Sequence, residues 1–167
     1  GKTGNDTVSY DHITDPNTDI VIDLKNNIAT GNGTDTLTSI ENATGGAGDD
    51  IIKVSTDSES NVLDGSTGID TVSYEYYSTD VTRDLSNTTT VQDDDILKGF
   101  ENIIGGTGND SFKGNSLNNT LDGGSSGIDT VDYSLASLKV VADLRTSTKT
   151  ATSGSDVDTL VSIEKII

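Results

Sequence analysis

The sequence predicts an all-β fold, a parallel β-solenoid (β-roll or β-helix) of roughly eight short coils with no significant helix. Three observations predict it. Glycine-rich nonapeptides of the form G-G-x-G-x-D-x-U-x, with U a large apolar residue, recur along the chain. β-Branched Val, Ile and Thr dominate the apolar stretches, and no window shows the i, i+3, i+4 spacing of an amphipathic helix. Only 31% of the 167 residues are hydrophobic, which suits a narrow interior better than a thick core.

The nonapeptide is most complete at residues 45–53 (GGAGDDIIK) and 105–113 (GGTGNDSFK), and weaker copies begin at Gly1, Gly65 and Gly124. Glycine permits the positive φ angles of a tight turn and leaves carbonyl oxygens free. The aspartate adds a hard anionic oxygen, and the alternating residues after it form a short strand. Because one nonapeptide cannot bury its single apolar side chain alone, the copies are expected to stack.

A longer repeat contains these nonapeptides. The pattern Asp-Thr-Val-x-Tyr begins at Asp6, Asp70 and Asp129, and each copy is followed by a box ending in Asp-Leu and by a third box, at 33–42, 93–102 and 156–165. The repeat predicts one solenoid segment over residues 1–167, built of units of about 60 residues at approximately 6–69, 70–128 and 129–167, the last truncated. Since the first and last residues fall inside the pattern, we expect a fragment of a longer protein.

Residues at the same place in successive units are expected to stack inside the solenoid. The predicted stacks are Val8, Val72 and Val131; Leu24, Leu85 and Leu144; Leu37, Leu97 and Leu160; Ile52 and Phe112; and Leu63 and Leu121. Tyr10, Tyr74 and Tyr133 recur just as regularly. They either cover the edge of the core or form a ladder on the outside.

The nonapeptides resemble the RTX family, the calcium-binding β-roll repeats of secreted bacterial toxins, proteases, lipases and adhesins. The strict motif covers about a quarter of the chain. The whole unit, with its spacers, resembles the arrangement in large RTX-type surface proteins, and that resemblance covers essentially the entire chain. It implies Ca²⁺ held between stacked turns by aspartates and main-chain carbonyls.

In a β-roll the next nonapeptide but one returns to the same edge, so Asp50 is expected beside Asp70, and Asp110 beside Asp129. Two carboxylates and the carbonyls of the turns bring about six to eight oxygens within reach of one calcium ion. Weaker sites on the opposite edge would pair Asp35 with Asn61, and Asp95 with Asn119, whose amide oxygen is neutral. The metal ligands predicted by resemblance are Asp50, Asp70, Asp110, Asp129, Gly45, Ala47, Gly48, Gly68, Gly105, Thr107, Gly108, Gly127 and Asp6. The alternative is that these Asp and Asn side chains only cap turns.

Composition excludes several classes of function. With 28 acidic and 10 basic residues the net charge is −18, which disfavours nucleic acid and anionic membranes and favours counter-cations. There is no cysteine for a disulfide or thiolate site, and no apolar run is long enough for membrane insertion. His12 is the single histidine and lies in a loop beside Pro16, so neither a catalytic triad nor a histidine zinc site is expected. We expect no enzyme activity.

The sequence favours a calcium-stiffened structural segment of a secreted or cell-surface bacterial protein, of adhesin, biofilm or surface-layer type. The alternative is the C-terminal calcium-folding and secretion module of an exported enzyme, such as a protease, lipase or alginate epimerase. Modules of the second kind usually show tight runs of nonapeptides, whereas here long spacers separate them. The expected partners are neighbouring repeat units, with end-to-end self-association through bare strand edges. Whether a cell-surface polysaccharide is bound stays open.

Overall fold

The computed structural model describes residues 1–56, 60–89, 95–145 and 149–167. Over these residues the chain forms 18 short strands and no helix, which confirms the all-β prediction. Part of one predicted segment, the third box at 93–102, lies outside the described residues. The strands are β1 Thr7–Ser9, β2 Val21–Asp23, β3 Ile28–Thr30, β4 Thr34–Thr36, β5 Asn42–Thr44, β6 Ile51–Lys53, β7 Val62–Asp64, β8 Thr71–Ser73, β9 Thr82–Asp84, β10 Ile96–Lys98, β11 Asn102–Ile104, β12 Ser111–Lys113, β13 Thr120–Asp122, β14 Thr130–Val131, β15 Val140–Asp143, β16 Lys149–Ser153, β17 Asp156–Val161 and β18 Lys165–Ile166.

The strands form three sheets. Two sheets have four parallel strands each, in the orders β1-β5-β7-β10 and β18-β14-β12-β9. The third has ten strands in the order β15-β16-β17-β13-β11-β8-β6-β2-β3-β4. Most pairings are parallel, as predicted.

Two antiparallel meanders, β2-β3-β4 and β15-β16-β17, were not predicted. A tight turn after the Asp-Leu box starts the first of them. The N–H of Asn26 donates to Asp23 Oδ1 at 2.8 Å, and Asn27 adopts a left-handed φ of 58°. Asparagine tolerates that conformation better than most residues, so the chain reverses within a few residues instead of continuing into a parallel coil. The sheets are therefore mixed.

Register brings the nonapeptides together as predicted. Ile51 in β6 pairs with Thr71 in β8, and Ser111 in β12 pairs with Thr130 in β14, both in parallel. The residue that precedes each of these strands is an aspartate. The strand pairing thus places successive nonapeptide aspartates side by side.

The core is a set of apolar columns running across the sheets. In the ten-stranded sheet, parallel pairing aligns the fully buried side chains of Ile52, Val72, Ile103 and Leu121. The predicted stacks of unit-equivalent residues are wrong. Neighbouring strands come from different boxes of the unit, so equivalent residues fall into different sheets. Such separated equivalents are Val8, Val72 and Val131; Leu97 and Leu160; Ile52 and Phe112; and Leu63 and Leu121.

Candidate functional site

The predicted aspartate pairs lie in direct contact. The backbone N–H of Asp50 donates to Asp70 Oδ1 at 2.7 Å, and the N–H of Asp110 donates to Asp129 Oδ1 at the same distance. All four aspartates are almost fully buried. The expected neighbours are therefore confirmed, and each pair is joined through a main-chain amide.

A glutamate extends each pair into a column of three carboxylates. Glu101 Oε2 accepts the N–H of Asp70 at 2.9 Å, and Glu164 Oε2 accepts the N–H of Asp129 at 2.9 Å. In the first unit, Glu41 Oε2 accepts the N–H of Asp6 at 2.8 Å. These glutamates were not among the residues predicted from the sequence. The available signal was their recurrence at one place in the third box of every unit.

Main-chain amides donate to both carboxylate oxygens of Asp50 and of Asp110. Asp50 accepts the N–H of Gly46 at Oδ2 and the N–H of Ile20 at Oδ1, the latter at 2.7 Å. Asp110 accepts the N–H of Gly106 and of Val81, each at 2.8 Å. The capping role is thus present for both residues. Because a carboxylate oxygen has more than one lone pair, capping leaves each able to ligate a cation.

The first glycine of the nonapeptide is required by close approach. A Cβ on Gly45 would lie 2.2 Å from Asp50 Oδ2 and 2.6 Å from the carbonyl oxygen of Gly65. A Cβ on Gly105 would lie 2.2 Å from Asp110 Oδ2 and 2.7 Å from the carbonyl oxygen of Gly123. Each missing Cβ thus lets a carboxylate and a carbonyl of the neighbouring turn converge on one point.

The remaining predicted turn ligands also stack. A Cβ on Gly68 would lie 2.2 Å from the carbonyl oxygen of Gly48, and one on Gly127 would lie 1.8 Å from that of Gly108. Gly68 and Gly127 have φ values of 145° and 124°, which favour glycine. The last two predicted turn ligands, Ala47 and Thr107, lie in the same turns, and each donates an N–H at 3.0 Å to a main-chain carbonyl.

Asp70 differs from its neighbours. Its Oδ2 is buried and has no hydrogen-bond partner. The amide that would be equivalent to that of Gly46, the N–H of Ser66, donates instead to Asp64 Oδ1 at 3.0 Å, with Ser66 at a φ of 76°. Burial, followed by the negative charges of Asp50, Glu101 and Asp49, raises the pKa of Asp70 to about 7. This carboxylate lacks a positive partner.

The columns carry uncompensated negative charge. Burial also raises the pKa of Asp50 and of Asp129, and neighbouring carboxylates raise both further. The ion pairs found among the described residues lie elsewhere, at Lys53–Glu75, Arg83–Asp95, Lys113–Asp132 and Arg145–Asp143. A cation from solution is the remaining way to balance these charges without protonation.

The opposite edge is paired differently from the prediction. Asn61 donates to Asp95 Oδ1 through Nδ2 at 2.7 Å, and the N–H of Asn119 donates to Asp158 Oδ1 at 3.0 Å. The predicted pairs Asp35–Asn61 and Asp95–Asn119 are wrong because β7 pairs with β10, and β13 with β17. Each asparagine therefore meets the third box of the following unit.

The recurring tyrosines point inward and hold that third box. Tyr10, Tyr74 and Tyr133 donate their hydroxyls to Asp35, Asp95 and Asp158 at 2.7, 3.0 and 2.6 Å. In the second unit, Arg83 joins the pair. Its Nε donates to the Tyr74 hydroxyl at 2.8 Å, and Nη2 donates to Asp95 Oδ2 at 3.1 Å.

Asp6 forms the equivalent turn in the first unit, accepting the N–H of Lys2 at 2.8 Å. Within the described ranges, no three Asp, Glu, His or Cys side chains converge as a ready-made metal site. An ion at these edges would therefore need main-chain carbonyl ligands as well.

The described ranges contain no helix that could cross a membrane. No protein-family model matches the chain, and no curated protein sequence matches it.

Proposed function

We propose that the chain is a calcium-binding, calcium-stiffened structural repeat segment of a secreted or cell-surface bacterial protein, of adhesin, biofilm or surface-layer type. The observation that carries this proposal is the buried, unpartnered Oδ2 of Asp70 within a column of three carboxylates. Burying like charges without a counter-ion is costly. A hard divalent cation that accepts oxygen ligands offsets that cost.

The residues present fit calcium. Asp50 and Asp70 would hold it together with turn carbonyls. The carbonyl of Gly65 and Asp50 Oδ2 converge beside Gly45, and the carbonyl of Gly99 and Asp70 Oδ2 converge beside Gly65. Asp110 and Asp129 would form the second such site, where the carbonyls of Gly123 and Ser162 take the corresponding places. Bound calcium would supply positive charge between two adjacent strands and so tie one turn to the next.

We propose a parallel β-solenoid, interrupted by the two meanders, as the architecture that carries these sites. Parallel pairs join the nonapeptide strand β6 to β8, and β12 to β14. Each meander lies in the same sheet as nonapeptide strands. The long spacers are thus part of the stack, which favours a rod-forming segment over a run of pure nonapeptides.

The secretion module of an exported enzyme remains the second candidate, because it would use the same turns. We propose no catalytic role. The paired carboxylates recur in successive units and accept main-chain amides there, so none is set apart as an acid–base pair.

Calcium is expected to promote folding. With a net charge of −18 and buried carboxylates, the chain should be loosened in chelator and gain β signal and thermal stability in millimolar calcium. Circular dichroism spectra and melting curves in chelator, calcium and magnesium measure this. Magnesium at equal ionic strength controls for charge screening. Spectra and melting curves that are identical in all three conditions would contradict a role for calcium in folding.

A further inference from the structure

Strand β15 has one free edge among the described strands. It occupies the place in its unit that β2 and β9 occupy in theirs. Strand β2 lies between β3 and the nonapeptide strand β6, and β9 pairs with the nonapeptide strand β12. Strand β15 pairs with β16 and ends the order of its sheet.

Side chains along this strand are more exposed than their equivalents. Ile22 in β2 and Arg83 in β9 are 0% and 3% exposed, whereas the equivalent Ala142 is exposed. The leucine of the Asp-Leu box is buried in the first two units, but Leu144 is only half-buried. Strand β15 thus has residues whose equivalents are buried in β2 and β9, but no described strand pairs with its second edge.

The two covered strands show what fits there. In the first unit, Ile20 donates its N–H to Asp50 Oδ1 at 2.7 Å, and Leu24 donates its N–H to the carbonyl of Lys53 at 3.0 Å. In the second unit, the same bonds join Val81 to Asp110 at 2.8 Å, and Leu85 to Lys113 at 2.9 Å. The β2–β6 and β9–β12 interfaces therefore share one pattern. The aspartate of the nonapeptide accepts an N–H at the start of the partner strand, and the carbonyl of its lysine accepts the N–H of the leucine that follows that strand.

We propose that the free edge of β15 is a docking site for a parallel strand of the form G-G-x-G-x-D-x-U-K. The incoming aspartate accepts the N–H of Val140, and the carbonyl of the incoming lysine accepts the N–H of Leu144. The lysine ammonium lies near Asp143, as Lys53 does near Asp23. This partner rests on the proposed role as a structural repeat, but its hydrogen bonds need no metal.

One residue makes this edge selective. Lys139 stands where the first two units have Asp19 and Asp80, which accept the N–H groups of Asp49 and Asn109 at 3.0 and 2.7 Å. A lysine cannot accept that bond, but it attracts an acidic side chain at the incoming position. Of the chain's two complete nonapeptides, residues 45–53 have an acid there and residues 105–113 do not. The edge therefore prefers a nonapeptide of the first kind.

The test extends the chain after Ile167 with a copy of residues 45–64, since a nonapeptide follows the equivalent Thr44 and Ile104. Hydrogen exchange at Val140, Ala142 and Leu144 is measured in calcium and in chelator, with Val72 as the internal control. Exchange is expected to slow at least tenfold in the extended chain. A matched extension that carries Asp50→Ala in the copy should lose most of this protection at Val140.

Protection in both conditions supports docking, and protection in calcium alone supports docking assisted by metal. Unchanged exchange at β15 in both conditions, with Val72 still protected, overturns the docking proposal. Because calcium binding to the unextended chain is measured separately, that result leaves the proposed calcium sites standing.

Discussion

Replacing Asp95 with alanine is expected to destabilise the folded chain by about 3–5 kcal/mol, because it removes the carboxylate facing a buried guanidinium. The side chains of Arg83 and Asp95 are each 2% exposed, and the two groups lie 3.1 Å apart. The Arg83 guanidinium carbon also lies 4.5 Å from the centre of the Tyr74 ring. Urea denaturation measures the free energy of unfolding.

Arg83→Ile is the matched control, since the first unit has Ile22 at this place. This change should cost less than Asp95→Ala, because Asp95 keeps the hydrogen bond from the Tyr74 hydroxyl. An Asp95→Ala variant within about 1 kcal/mol of the unmodified chain would show that this buried network does not stabilise the second unit.

The effect of Asp70→Asn on stability is expected to change sign when calcium is added. In chelator at pH 8 the variant should be more stable than the unmodified chain, by up to about 4 kcal/mol, because it removes an unpartnered buried charge. The amide oxygen can still accept the N–H of Asp50. In millimolar calcium the variant should be the less stable of the two, because it has lost a charged ligand.

The pH dependence of stability also follows from the carboxyl group of Asp70. A carboxyl whose folded pKa is raised from 3.8 to about 7 holds its proton in the folded state between those values. Stability in chelator should therefore fall as pH rises from about 4 to about 7, and this slope should weaken in Asp70→Asn.

Asp110→Asn is the control for Asp70→Asn. Both oxygens of Asp110 accept main-chain amides, so an amide nitrogen there loses one bond and should destabilise in chelator. Melting curves across pH, in chelator and in calcium, separate the two variants. Destabilisation of Asp70→Asn in chelator would mean that Asp70 is satisfied without metal.

The edge with the paired aspartates could be predicted because it depends on local spacing. A nonapeptide is a turn followed by a strand, and in the β-roll that these nonapeptides resemble, two of them in series return the chain to the same edge. The interval between Asp50 and Asp70 therefore fixes their contact without knowledge of the rest of the chain. The same reasoning placed Asp110 beside Asp129.

The opposite edge could not be predicted because the spacers decide it. The partner of Asn61 depends on which strand lies beside β7. The first meander places Asp35 in β4, which pairs with β3, and β10 pairs with β7, so Asp95 lies beside Asn61. The burial of Arg83 could not be predicted, because it depends on Tyr74 and Asp95 contacting it from other parts of the unit. Glu101 belongs to no motif of its own, and its role depends on its contact with Asp70, whose N–H it accepts.

Calorimetric titration with calcium tests the central claim most directly. The unmodified chain should bind calcium, and Asp110→Asn should weaken the same site as Asp129→Asn, with the double variant costing little more than either. Asn119→Ala, on the opposite edge, should leave that site nearly intact. Additive losses from the two aspartates, a loss from Asn119→Ala as large as theirs, or no binding by the unmodified chain would contradict calcium binding between stacked aspartates.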